Sequence, residues 1–277
     1  MKQTFQNQTP YEQQQCTEID KWKNTEPNVV NQAIGTLLKP LTWAVAKVVP
    51  DKAIEGAITA AYKAAEFLTD KNDIIRDAQV TDISELKHKD LELSDRLANE
   101  VHNWAIGVAG AEGAVTGMTG LPGMAVDIPA LITMSFRVIH KIGICYGYEA
   151  TTEEDKNYIL QIFSAAGSNT MQEKQAAILI LRQATQVIAK TTWKAMTQKA
   201  ANNKFCIEGG ILAIKAVAKQ FGINITKRKA LQAIPGIGAL VGGSMNLSLI
   251  NDIAWAARRM YQERWLIENE KIVVVED

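Results

Sequence analysis

The chain is short of cysteine, short of histidine and without net charge, and each shortage removes a class of protein. Its three cysteines, Cys16, Cys145 and Cys206, are an odd set with no CxxC spacing, which argues against a disulfide framework and a zinc site and points to a reducing, cytoplasmic setting. Lysine plus arginine equals aspartate plus glutamate at 30 each, so no overall field draws the chain to nucleic acid. Any attraction to a membrane has to be local. The three histidines, His88, His102 and His140, are scattered, and HExxH, GxSxG, a P-loop lysine and a Cys/His cluster are all missing. No catalytic residue, metal ligand or cofactor site is therefore assigned from motifs. The opening MKQTFQNQTPYEQQQ has no apolar core, so it is not read as a secretory signal.

What is present is apolar and helical. Hydrophobic residues make up 47% of 277 positions, ample for a continuous core. Residues 1–28, rich in Gln, Asn and Thr, are expected to form a disordered polar tail. From Val29 a helical stripe runs through Ile34, Leu37, Leu38, Leu41 and Val45 to Pro50, and a second follows with Ile54, Ile58, Ala61, Ala65 and Leu68. The charged stretch at residues 70–92 suggests a connector followed by a solvated helix start. Thr152 with Asp155 three residues on is an acidic capping box, so a helix should start there. Long amphipathic helices are expected from Met171 to Ala200 and from Ile207 to Phe221. The end, residues 269–277 with IVVVE, looks strand-like but has no evident partner.

Two segments are unusual. From Trp104 to Tyr148, Gly107, Gly110, Gly113, Gly117, Gly120 and Gly123 recur every three or four residues. Each interior helical glycine costs about 1 kcal/mol relative to alanine, so close approach by another helix is the expected compensation. Leu121-Pro122-Gly123 should break the helix, leaving Asp127 as an N-cap ahead of Pro129. Glu112 lies in a Gly/Ala/Val run and needs a partner, for which Arg137, Arg258 and Arg264 are candidates. The second segment, Leu231 to Leu266, repeats the plan with Ile234-Pro235-Gly236. It carries no charge from Ala230 to Asn251, yet its proline, glycines and polar residues make it a poor spanning helix. Lys215, Lys219 and Lys227-Arg228-Lys229 lie before it, and Arg258, Arg259 and Arg264 after, a pattern able to hold an apolar element at an anionic leaflet.

These segments carry a resemblance. Glu112-Gly113, TGLPGMAVDIPAL at 119–131, YGY at 146–148, IPGIGALVGGSMN at 234–246 and AARRMYQERWL at 256–266 resemble the EcsC family of bacterial proteins, over roughly Val29 to Leu266. The resemblance implies one all-α domain at 29–268 of unassigned activity, in a family named for a gene neighbouring an ABC transporter, working at the inner face of the cell membrane. It implies no known active site. The positions carrying the signature are Glu112, Gly113, Gly117, Gly120, Gly123, Asp127, Pro129, Pro235, Gly238, Gly242, Asn246 and Arg264.

The fold expected is therefore an all-α multi-helix bundle with two glycine-rich apolar hairpins and a short irregular or strand-like C-terminal tail. The leading functional expectation is a non-enzymatic accessory protein, peripheral to an anionic membrane surface or part of a membrane protein complex, with no cofactor and no nucleic acid. Two alternatives stand beside it. One is an enzyme using the carboxylates of Glu112 and Asp127, with His140 as a third group; the other is a soluble module that captures a helix in a groove.

Overall fold

Thr9, Pro10 and Glu12 start the first helix. The Thr9 hydroxyl accepts from the Glu12 amide at 3.2 Å while the Glu12 carboxylate accepts from the Thr9 amide at 2.7 Å, a capping box with proline in the first turn. In the computed structural model, this helix, α1 (Pro10–Asn24), follows a strand, β1 (Lys2–Phe5). The structure describes residues 2–5, 7–27, 51–116, 120–168, 170–195 and 238–275.

The polar tail expected at 1–28 is thus a strand and a helix. Its buried stripe is Glu12, Cys16, Ile19 and Lys23, only half apolar, so composition hid it. The two ionisable members are compensated: Lys23 pairs with Glu263, both buried, and Glu12 lies 3.6 Å from Lys271. The strand-like C-terminus, β2 (Ile272–Val275), finds its partner at the opposite end of the chain. It pairs antiparallel with β1, Phe5 opposite Ile272 and Lys2 opposite Val275.

Of the stripe predicted for helix α2 (Asp51–Leu68), Ile58, Ala61 and Ala65 are buried, while the side chains of Ile54 and Leu68 lie outside the described residues. The helix expected from Val29 lies outside the described residues. The charged connector is more ordered than expected: α3 (Asn72–Ala78) and a 3-10 helix (Ile83–His88) bury Ile74, Ile83 and Leu86 beneath their charges.

Helices α4 (Leu91–Thr116) and α5 (Gly120–Cys145) pack against each other. The break expected at Leu121-Pro122-Gly123 is absent: these residues form the first turn of α5, where a proline is tolerated. Asp127 is therefore not an N-cap but part of the helix interior, as is Pro129, which deprives the carbonyl of Ala125 of its helical donor. Beyond the last helical residue of α5, Cys145, Gly147 with a φ of +89° closes a Schellman turn. The Gly147 amide donates to Ile144 O at 2.9 Å and the Tyr148 amide to Gly143 O at 2.9 Å. A β-carbon at Gly147 would sit 2.6 Å from the Lys87 amide nitrogen.

Helix α6 (Glu153–Ala166) begins with the predicted box, the Asp155 amide donating to the Thr152 hydroxyl at 3.1 Å. Helix α7 (Met171–Ala195) buries Ile178 and Leu181; the remainder of that expected helix and the one at 207–221 lie outside the described residues. Helix α8 (Gly238–Glu268) packs on α1, α4, α5, α6 and α7 and buries Ile250, Ile253, Ala254, Ala257 and Leu266 completely. The result is an all-α bundle around α8, with one two-stranded ribbon joining the described ends. The second hairpin, including Pro235, lies outside the described residues apart from α8 itself.

Candidate functional site

Helices α4 and α8 run antiparallel. Their pairing runs from Gly110 beside Leu247, through His102 with Asn251 at 3.1 Å and Asn99 with Arg258 at 2.9 Å, to Asp95 with Gln262 at 2.7 Å. The two ends of this pair differ chemically.

At the polar end, buried Asp95 accepts three hydrogen bonds: from the Tyr11 hydroxyl at 2.7 Å, the Tyr146 hydroxyl at 2.5 Å and the Gln262 amide at 2.7 Å. Burial pushes the Tyr146 phenol well above its ordinary range, and the Asp95 charge adds to the shift, so it remains a donor. Arg259 extends the network to Gln262 and to Gln15 of α1, each at 2.9 Å. A cleft of about 470 Å³ opens beside Asp95, Asn99 and Arg258.

Arg264, a signature position, is buried beside this network. Its guanidinium donates to Asp155 at 3.0 Å and Glu268 at 2.8 Å and lies 4.1 Å over the Tyr148 ring and 5.1 Å over Tyr158. Burial opposes its charge, but Glu268, Tyr148 and Asp155 outweigh burial and raise its pKa above the ordinary arginine value. The YGY turn and Arg264 are thus one structure: Gly147 allows the turn, Tyr146 reaches Asp95, and Tyr148 receives the guanidinium. Tyr261 stacks on Tyr146 and Tyr148 at 6.3 and 5.6 Å, and a β-carbon at Gly143 would meet its ring at 2.8 Å. Asp95 and Arg264 are each held by several partners from different helices, which makes the polar end a lock between helices, although the buried Tyr148 hydroxyl has no hydrogen-bond partner among the described residues.

The other end is poor in charge. Glu112 is the one charged residue in 101–116, Asp127 the one in 120–136, and 238–251 has none. Helix α5 continues past Asp127 to His140, about 20 Å further along its axis, so the three groups of the enzymatic alternative do not share a site. The side chains of Glu112 and Asp127 lie outside the described residues, as do Gly117, Pro235 and the lysines at 215–229. Of the proposed partners for Glu112, Arg264 is held by Asp155 and Glu268, while Arg258 stacks on Trp255 at 4.6 Å and donates to Asn99. Arg137 lies 5.0 Å over Trp104. Asn246 is buried. The glycine run does not behave as a uniform contact ridge: a β-carbon at Gly110 would touch Leu247 at 3.4 Å, whereas one at Gly107 would meet open space.

His140, the third group of the enzymatic alternative, and Lys174, which sequence reasoning missed, have surroundings that only packing reveals. His140 is buried with its Nε2 unpartnered among the described residues, and burial lowers its pKa to about 4. Lys174 lies between Trp22, 4.3 Å below its ammonium, and the last carbonyls of α1, donating to Trp22 O and to Thr25 O at 2.8 Å. Burial lowers its pKa to about 8, against the pull of Asp252. Its geometry is that of a cationic cap on a helix C-terminus. Among the described residues no cluster of three or more His, Cys, Asp or Glu is placed to hold a metal ion.

The class defined by this architecture is an all-α bundle locked by a tyrosine and arginine network at one end and short of charge at the other. No helix among the described residues is long and apolar enough to cross a membrane. The chain belongs to the EcsC protein family, whose model matches residues 13–266. That range takes in most of α1, which the resemblance from residues alone had left outside. The chain is 22% identical over 270 residues to the uncharacterized protein YdbA of Bacillus subtilis strain 168, covering 93% of this chain and 94% of YdbA. It is 24% identical over 161 residues to protein EcsC of the same organism, covering 58% and 59% of the two chains. No solved structure matches it.

Proposed function

We infer that the protein is a non-enzymatic accessory that works peripherally at the inner face of a membrane, on the lipid surface or on a complex embedded in it. The observation that supports this reading is the concentration of uncharged helix at one end of the α4–α8 pair, where three helical runs contribute only Glu112 and Asp127. A helix that meets water on one side ordinarily carries charge there, and contiguous apolar surface marks an interaction site. The polar end supports the reading differently: its groups bind one another, as a scaffold's do.

Fractionation of cells tests the reading. The protein is expected in the membrane fraction, released by high salt or carbonate. Recovery entirely in the soluble fraction contradicts it, and resistance to carbonate contradicts the peripheral part of it.

A further inference from the structure

The side of α4 facing solvent near the uncharged end has an unusual surface. Trp104 is 40% exposed, and Gly107, three residues on and on the same helical face, is exposed with open space where a side chain would stand. Leu247 of α8, 36% exposed, borders the strip beside Gly110, where an added β-carbon would meet it at 3.4 Å. Glu100, one turn back from Trp104, ends it on the polar side.

At its other border lies Arg137, whose guanidinium stacks 5.0 Å over the indole. Arg137 has no ion pair or hydrogen bond among the described residues, and its Nε lacks a partner. The two carboxylates of the uncharged end are out of register with it. Glu112 is about 12 Å along α4 from Trp104, and Asp127 about 15 Å along α5 from Arg137. An exposed indole with an unpaired guanidinium at its face is the chemistry of a membrane interface. The indole settles among headgroups, where one edge is apolar and the other wet, and the guanidinium donates to phosphate.

We propose that this strip, Trp104, Gly107 and Leu247 with Arg137 at its edge, is the surface that rests on an anionic phospholipid leaflet, Arg137 engaging a lipid phosphate. The contact lies on the side of the helices, so it requires no crossing of the bilayer. The inference rests on the membrane reading above and narrows it to lipid and to a particular face.

The test uses the full chain with vesicles of phosphatidylcholine alone or mixed with phosphatidylglycerol, followed by sedimentation and by quenching of tryptophan emission with brominated lipid. Wild-type protein is expected to bind the mixed vesicles, and Trp104→Phe to remove most of the quenching. Arg137→Gln should weaken binding about fivefold. Because Gly107 has room for a side chain, Gly107→Leu should strengthen binding and Gly107→Glu weaken it, both in a folded protein by circular dichroism. Binding that none of these substitutions changes overturns the inference, as does failure of the wild type to bind mixed vesicles. If the protein nonetheless fractionates with membranes in cells, only this inference falls and the broader reading stands. A wholly soluble cellular protein removes both.

Discussion

The two ends of the α4–α8 pair are built from the same helices and obey different rules. At the polar end, Asp95 and Arg264 are buried with every strong contact assigned, and Gly143 and Gly147 are glycines because a ring and a backbone amide occupy the space of a β-carbon. At the uncharged end, Gly107 faces open space and Trp104 is exposed. Glycine at the first end is required by packing; at the second it leaves a surface bare. A scaffold and a contact surface are separated along one pair of helices.

The largest effect that could break this contrast is at Arg264. Arg264→Ala leaves Asp155 and Glu268 without their buried cation and is expected to cost about 3–5 kcal/mol, read as a fall in urea midpoint. A cost below 1 kcal/mol would show that the polar end is not a lock. Gly147→Ala comes next: a left-handed residue crowded against Lys87 should lose about 2 kcal/mol.

His140 adds a pH dependence. Its folded pKa of about 4 lies below the ordinary 6.5, so on acidification the unfolded chain takes up a proton that the folded chain refuses. Stability from this group is full above pH 6.5 and is lost as the pH falls toward 4, by roughly 2 kcal/mol between pH 7 and 5. Urea unfolding of wild type and His140→Gln at both pH values should show a steeper loss in the wild type; parallel losses would rule this out. The smallest effect sharpens the contrast from the other end: Gly107→Ala should stabilise by about 0.5–1 kcal/mol in thermal unfolding, while Gly143→Ala destabilises against the Tyr261 ring.

Much of this was legible in residues. The stripe of Ile58, Ala61 and Ala65 and the Thr152–Asp155 box are local patterns, and the structure keeps them. The YGY and AARRMYQERWL segments were recognisable as a signature, but not their meeting, because Tyr148 and Arg264 are far apart in the chain and joined only by packing. Helix α1 was misread although Thr9, Pro10 and Glu12 spell a helix start; composition outweighed that signal because Lys23 is buried by an ion pair rather than by apolarity. The break at Pro122 was misplaced because a proline in a first turn and one after a helix look alike in sequence. Exposure of Trp104 had no sequence signal at all, since it depends on which helices leave that face uncovered.

Hydrogen exchange with and without phosphatidylglycerol-containing vesicles tests the division most directly. The account predicts added protection in peptides covering 103–111 of α4 and 246–250 of α8, with none at the YGY turn or around Arg264. Protection centred on the polar end, or none anywhere on the chain, would contradict it.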